Sequence, residues 1–208
     1  MSKIYLVTHT ESMHHTEGLV GGWYDANLTE RGRDQASQVA TALQQRITNT
    51  PRLFSSDLNR AMQTAEPISA LLNCAIEPTP DLREVSCGDA EGGPQAWLDE
   101  NILLPPKDGV ERLDHQICSG AESRHVAATR IYAFMARLVA DLPNETVVVT
   151  HGFAATFVLS AWIGMPIEAV GYVSFPVQSG SITTLEHDET WGNRAVVSLG
   201  DTRHLTEG

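Results

Sequence analysis

The amino-acid sequence predicts an α/β fold: a three-layer α/β/α sandwich around a largely parallel sheet. Two observations predict it. Short apolar, β-branched runs alternate with longer segments of helical periodicity, the pattern that sets helices on both faces of a sheet. Two of those runs, KIYLVTH and TVVVTH, also end on the same Val-Thr-His, at His9 and His151, as equivalent strands of one sheet would.

Taken in order, Lys3 to Thr8 is β-branched and aromatic without a turn residue, hence a buried strand. Residues 9–28 carry polar groups, Gly18, Gly21 and Gly22 without a clear period and read as a loop. Thr29 is the expected N-cap of a helix whose apolar face runs Ala36, Val39, Ala40, Leu43 and Ile47. Leu53 to Ser55 is a short strand. The helix after it carries Leu58, Ala61, Met62, Ala65, Ile68 and Leu72 on one side and a bend at Pro67. Ala75 to Thr79 gives a third strand.

From Val85 to Gly120, Gly and Pro are frequent and only Gln95 to Leu103 has helical character. So long a loop inside a compact domain marks a lid or functional insertion. Val126 to Leu142 carries the helical stripe Ile131, Phe134, Met135, Leu138 and Leu142, and Thr146 to Thr150 is a central strand leading into an apolar helix from Gly152. Tyr172 to Phe175, Ser181 to His187 and Arg194 to Leu199 read as three closing strands, with a hairpin turn over Asp188 to Asn193. No linker composition interrupts the chain, so one domain over residues 1–208 is expected, with a lid at about 85–120.

A formal charge of −12 speaks against nucleic acid or an anionic membrane surface as partner, yet leaves room for a small anion in a locally basic pocket. The longest apolar stretch, Phe153 to Met165, is too short to span a bilayer. Met-Ser-Lys runs straight into the first strand, so no leader is expected. Cys74, Cys87 and Cys118 have no metal or redox spacing and are expected reduced and structural, which fits a cytoplasmic location. The closing strands could pair across a homodimer or simply end the sheet.

In an open α/β sheet, ligands bind beyond the carboxyl ends of the strands, where His9 and His151 both stand. Arg60 falls in the first turn of a helix that follows a strand, a good seat for a phosphate. Glu84 and Glu91 lie in the Gly-rich stretch after the third strand, as site carboxylates or as solvated charges.

Six segments in order, LVTHTES, GWYDANLTERGRDQA, SSDLNRAMQTA, LREVSCGDAEG, SGAES and VVVTHG, resemble the histidine phosphatase superfamily, the phosphoglycerate mutase-like proteins, over about residues 3–160. The resemblance implies a phosphomonoester hydrolase acting on a small phosphorylated or otherwise anionic substrate, with neither metal nor other cofactor. It implies that His9 is the nucleophile and that His151 and Arg60 hold the equatorial oxygens. Glu84 would be the general acid and then the base, and Gly21 and Gly22 would bring backbone close to substrate.

Three positions depart from the family pattern. Thr8 and Thr10 replace the Arg and Gly of Arg-His-Gly, and His15 replaces an asparagine; all three are expected substrate-binding residues. A lost guanidinium is worth on the order of 10³–10⁵ in phosphoryl-transfer rate where one has been removed. Three accounts follow. The missing cation is replaced by His14, His15, Arg83 or Arg124; or the protein is a weak or inactive relative that binds an anion; or it runs a different reaction. That reaction would be a mutase-type transfer or a metal site on His9, His14 and His15, although H-x4-H-H matches no standard zinc spacing. In the lid, Trp97 is expected to stack on substrate or to anchor the lid, and Lys107 and Arg112 to meet an anion or water.

Overall fold

The structure, a computed structural model, describes residues 1–109 and 111–205; position 110 of the expected lid and the last three residues of the expected domain lie outside them. The strands are β1 (Ser2–Thr8), β2 (Arg52–Ser56), β3 (Ile76–Thr79), β4 (Glu145–Thr150), β5 (Ile182–Asp188) and β6 (Asn193–Asp201). They form one sheet in the order β3-β2-β4-β1-β5-β6. The first four run parallel, and β5 and β6 add antiparallel at the β1 end.

The helices are α1 (Met13–Glu17), α2 (Glu30–Gln44), α3 (Asn59–Leu72), α4 (Gln95–Asn101), α5 (Glu111–Asp114), α6 (Arg124–Ala140) and α7 (Ala154–Trp162). Side chains of β1 alternate between two cores: Ile4 and Leu6 pack with α6 and α7, Tyr5 and Val7 with α2 and α3. Val148 of β4 joins the first core, and Val147 and Val149 the second. A strand buried on both faces needs an unbroken apolar run, which is why both Val-Thr-His segments read as continuous.

Thr29 caps α2 as its type predicts, its hydroxyl accepting from Gly32 N–H at 2.9 Å. The helix α3 continues through Pro67 and ends on Asn73 in the left-handed region at φ 51°, a conformation that asparagine tolerates better than most residues.

Two expectations are corrected. The loop over 9–28 contains α1, which starts at Ser12, with the His15 ring reaching back to the Ser12 N–H at 3.4 Å. Tyr172 to Phe175 is not a strand: Ile167–Tyr172 is a 3₁₀ helix. Arg124 takes the carbonyls of Val170, Gly171 and Val173, and Thr156 takes the Phe175 N–H, so this backbone is satisfied away from the sheet. No helix among the described residues is long and apolar enough to cross a membrane.

Between β3 and α6 the chain folds over the edge where β1 and β4 end. A small third core of Val20, Ala90, Leu98, Cys118 and Ala121 ties it to the loop after α1. Leu98 anchors α4 there, whereas Trp97 is 50% exposed, so the expected tryptophan anchor is one residue off.

Candidate active site

The pairing of β1 with β4 sets Thr8 beside Thr150, and the His9 N–H extends that ladder to Thr150 O at 2.9 Å. The two next residues, His9 and His151, therefore leave neighbouring strands at one level. Their rings meet edge to face with centroids 5.1 Å apart. Both are buried.

The tautomer of His9 follows from its partners. Nδ1 lies 2.8 Å from the Thr10 carbonyl, which can only accept, so Nδ1 carries the proton. Arg60 Nε–H, which can only donate, reaches His9 Nε2 at 3.3 Å, so Nε2 presents a lone pair. Burial, then the adjacent guanidinium, holds this imidazole well below the ordinary histidine range, against a smaller opposing effect of the Thr10 carbonyl. The ring is thus neutral, with its Nε2 lone pair toward Arg60.

Arg60 itself is buried and held by its own fold: Nη1–H donates to Tyr24 O and Nη2–H to Gly22 O, each at 2.7 Å. Gly22 adopts φ +58°, and a Cβ there would stand 2.8 Å from the Cys87 nitrogen, so only glycine fits. At Gly21 a Cβ would stand 2.9 Å from His14 Nε2. These two glycines let the loop close on His14 and carry the carbonyl that seats Arg60.

His151 Nε2 lies 2.7 Å from Ser56 Oγ at the end of β2, and its buried Nδ1 has no partner among the described residues. Burial, then Arg60 and His9, pushes its pKa well below the ordinary value. An unpartnered nitrogen in so dry a position is costly unless a ligand meets it.

Glu84 stands at the N-terminus of α7. Its Oε1 accepts from Val85 N–H (2.9 Å) and Ala154 N–H (2.8 Å), and Oε2 from Phe153 N–H (2.9 Å). Its charge is the main influence that offsets the effect of burial on Arg60. The Glu84 carbonyl is fixed by Trp23 Nε1–H and Arg130 Nη2–H, both at 2.7 Å, while Arg130 is also gripped by Glu122. Ser56, Trp23 and Arg130 were not singled out from the sequence; the serine after a strand in FSSD was the one visible signal. Glu91 is not a site carboxylate: its Oε1 collects Trp23 N–H, Ser86 O–H and Cys87 N–H and ties two loops together.

The three departures resolve differently. Thr8 is buried at the end of β1. Thr10 does not face a ligand: its hydroxyl donates to Gly32 O at 2.7 Å and lies 3.3 Å from Thr64 Oγ1, and its N–H donates to Thr64 Oγ1. Its assignment to substrate is corrected accordingly, because side chain and amide both bind the start of α2 and the body of α3. His15 is exposed and stacks on His9, centroids 5.5 Å apart and planes within 13°.

None of the four expected replacement cations is free beside His9. Arg83 is paired in two-pronged fashion with Asp57, both bonds 2.7 Å. Arg124 is turned toward the carbonyls after α7. Burial and the charges of His15 and Arg60 lower the His14 pKa to about 3, and burial and Arg60 lower that of His15. Among the described residues no group of three or more His, Cys, Asp or Glu side chains could hold a metal ion, so the metal alternative finds no geometry in this loop.

A family model decides the kinship: that of the histidine phosphatase superfamily, branch 1, matches residues 4–202. The chain belongs to this superfamily. It is 30% identical to the probable phosphoglycerate mutase GpmB of Escherichia fergusonii, over 99% of this chain and 95% of that one. To the protein of the same name from Erwinia tasmaniensis it is 29% identical, over 100% and 96%. Its fold is similar to the α-ribazole phosphatase of Shigella flexneri, with a TM-score of 0.80 at 23% identity over 99% and 100% of the two chains. It is likewise similar to a mycobacterial glucosyl-3-phosphoglycerate phosphatase solved with inorganic phosphate, with a TM-score of 0.78 at 24% identity over 99% and 100%.

Proposed function

We propose that the protein hydrolyses small phosphomonoesters through a phosphohistidine on His9, with a phosphate clamp weaker than the family's usual one. The observation that carries this reading is the fixed lone pair of His9 Nε2, set 3.3 Å from Arg60 Nε and beside the unpartnered nitrogen of buried His151.

In the first step Nε2 forms a bond to phosphorus as the ester P–O bond breaks, and the departing oxygen takes a proton from Glu84. In the second, water gives a proton to Glu84 and its oxygen attacks phosphorus, releasing phosphate and restoring neutral His9. The three bonds on the Glu84 carboxylate leave one lone-pair site on Oε2 for that proton. With Ser56 O–H donating to Nε2, His151 carries its proton on Nδ1 and offers it to an equatorial oxygen. Arg60 adds charge with the N–H groups not engaged by Gly22, Tyr24 and His9.

Steady-state assay on 4-nitrophenyl phosphate checks the reading. Wild type is expected to turn over slowly, and His9→Ala to lose at least about a thousandfold in kcat while keeping its fold by circular dichroism. Equal activity in the variant removes the proposal.

A further inference from the structure

Beside Glu84 opens a cavity of about 420 Å³. Its lining combines the apolar Val85, Pro105, Ile117 and Phe153 with Arg112 and Arg124. The size matters, because three-carbon phosphoesters would leave most of such a space empty, whereas pockets of about 300–1,000 Å³ enclose considerably larger ligands.

The two arginines are neighbours. Arg112 Nε–H (2.7 Å) and Arg124 Nη1–H (3.1 Å) donate to the same carbonyl, that of Gly171. Each is held flat by an aromatic ring: Arg112 lies over Tyr172 at 5.3 Å and Arg124 over Phe153 at 4.8 Å. Among the described residues neither forms an ion pair. The two carboxylates of the cavity are already engaged, Glu84 by backbone N–H groups and Glu122 by Arg130. Half-burial, then the charge of Arg112, lowers the pKa of Arg124, so the pair stands in mutual repulsion. Arg112 Nε and Nη1 and Arg124 Nη1 donate to backbone carbonyls, and among the described residues Nη2 of both is left for a ligand. Two adjacent guanidinium groups in a half-dry pocket on a protein of net charge −12 call for an anion.

From this we infer that the substrate is a phosphomonoester with an apolar body and a second anionic group, a carboxylate or another phosphate, received by Arg112 and Arg124 while the body lies against Phe153 and Ile117. The inference rests on the phosphatase reading for the orientation of the substrate, with its scissile phosphate at His9. It differs from that reading in what it demands of the far end of the molecule.

The test compares 4-carboxybenzyl phosphate with 4-carbamoylbenzyl phosphate, nearly equal in size and one charge apart, on the same preparation. Wild type is expected to favour the carboxylate by about tenfold or more in kcat/KM, the scale of a charge-assisted contact. Arg112→Gln and Arg124→Gln should each bring that ratio close to one. Because both substrates meet the same enzyme sample, partial unfolding of a variant cancels from the ratio. A bisphosphate of similar length, assayed alongside, distinguishes the two kinds of second anion. A ratio near one in wild type, or a preference that survives both substitutions, overturns the inference. If neither ester is turned over, the phosphatase reading fails separately. Calorimetric Kd values for the two corresponding benzylphosphonates then read the same ratio without chemistry, with the same two outcomes.

Discussion

Thr8→Arg raises kcat/KM for a simple phosphomonoester by about two orders of magnitude, the usual worth of one preorganised donor to a transferring group. Among the described residues Arg60 is the guanidinium bonded to His9, and it already holds two backbone carbonyls. A neutral threonine hydroxyl recovers little of what a second cation supplies, and neither Arg83 nor His14 stands in for it: the first is bound to Asp57, and the second is uncharged down to about pH 3. Position 8 ends β1 directly before His9.

Thr10 should be left as it is. Removing its hydroxyl breaks its bond to Gly32 O and its contact with Thr64 Oγ1 in the buried seam between α2 and α3, a loss of about 0.5–1.5 kcal/mol in stability. The check is steady-state kinetics of Thr8→Arg beside wild type. No gain in a folded variant would mean that the loop after β1 has been rebuilt for other chemistry.

Acid should destabilise the protein steeply, through the imidazole cluster. His9, His14 and His151 are all depressed in the folded state, mainly by burial, whereas an unfolded histidine titrates near its ordinary value of 6.5. Below that value the unfolded chain takes up protons that the folded one refuses, so stability falls as the pH falls. Each such histidine contributes about 1 kcal/mol between roughly pH 6.5 and 5.5, on the order of 3 kcal/mol for the three. Urea midpoints across this range should drop accordingly, and His14→Gln should flatten the slope by about one histidine's share. A flat profile would show that these rings accept protons in place. The same depression keeps His9 neutral, so the kcat/KM profile should show no acid limb from it near 6.5.

The meeting of the two histidines was legible because it depends on strand periodicity and on the rule that parallel strands deliver their last residues to one edge. Arg60 was legible as a residue near that edge for the same reason. Its partners were not: two carbonyls of a glycine-rich loop have no sequence signature. Thr10 was misread because only the approach of α2 and α3 reveals which way its side chain goes. Tyr172 to Phe175 looked like a strand by residue type, and tertiary hydrogen bonds from Arg124 overrode that preference. The pairing of Arg112 with Arg124 through Gly171 joins three distant segments and could be seen in the folded chain alone.

A bond between His9 Nε2 and phosphorus can be caught by mass spectrometry of the enzyme quenched in base during turnover of 4-nitrophenyl phosphate. The expected result is one phosphoryl group on the peptide containing His9, lost on brief acid treatment and missing from His9→Ala. Turnover with no adduct at any quench time, or an adduct carried by another residue, would contradict it.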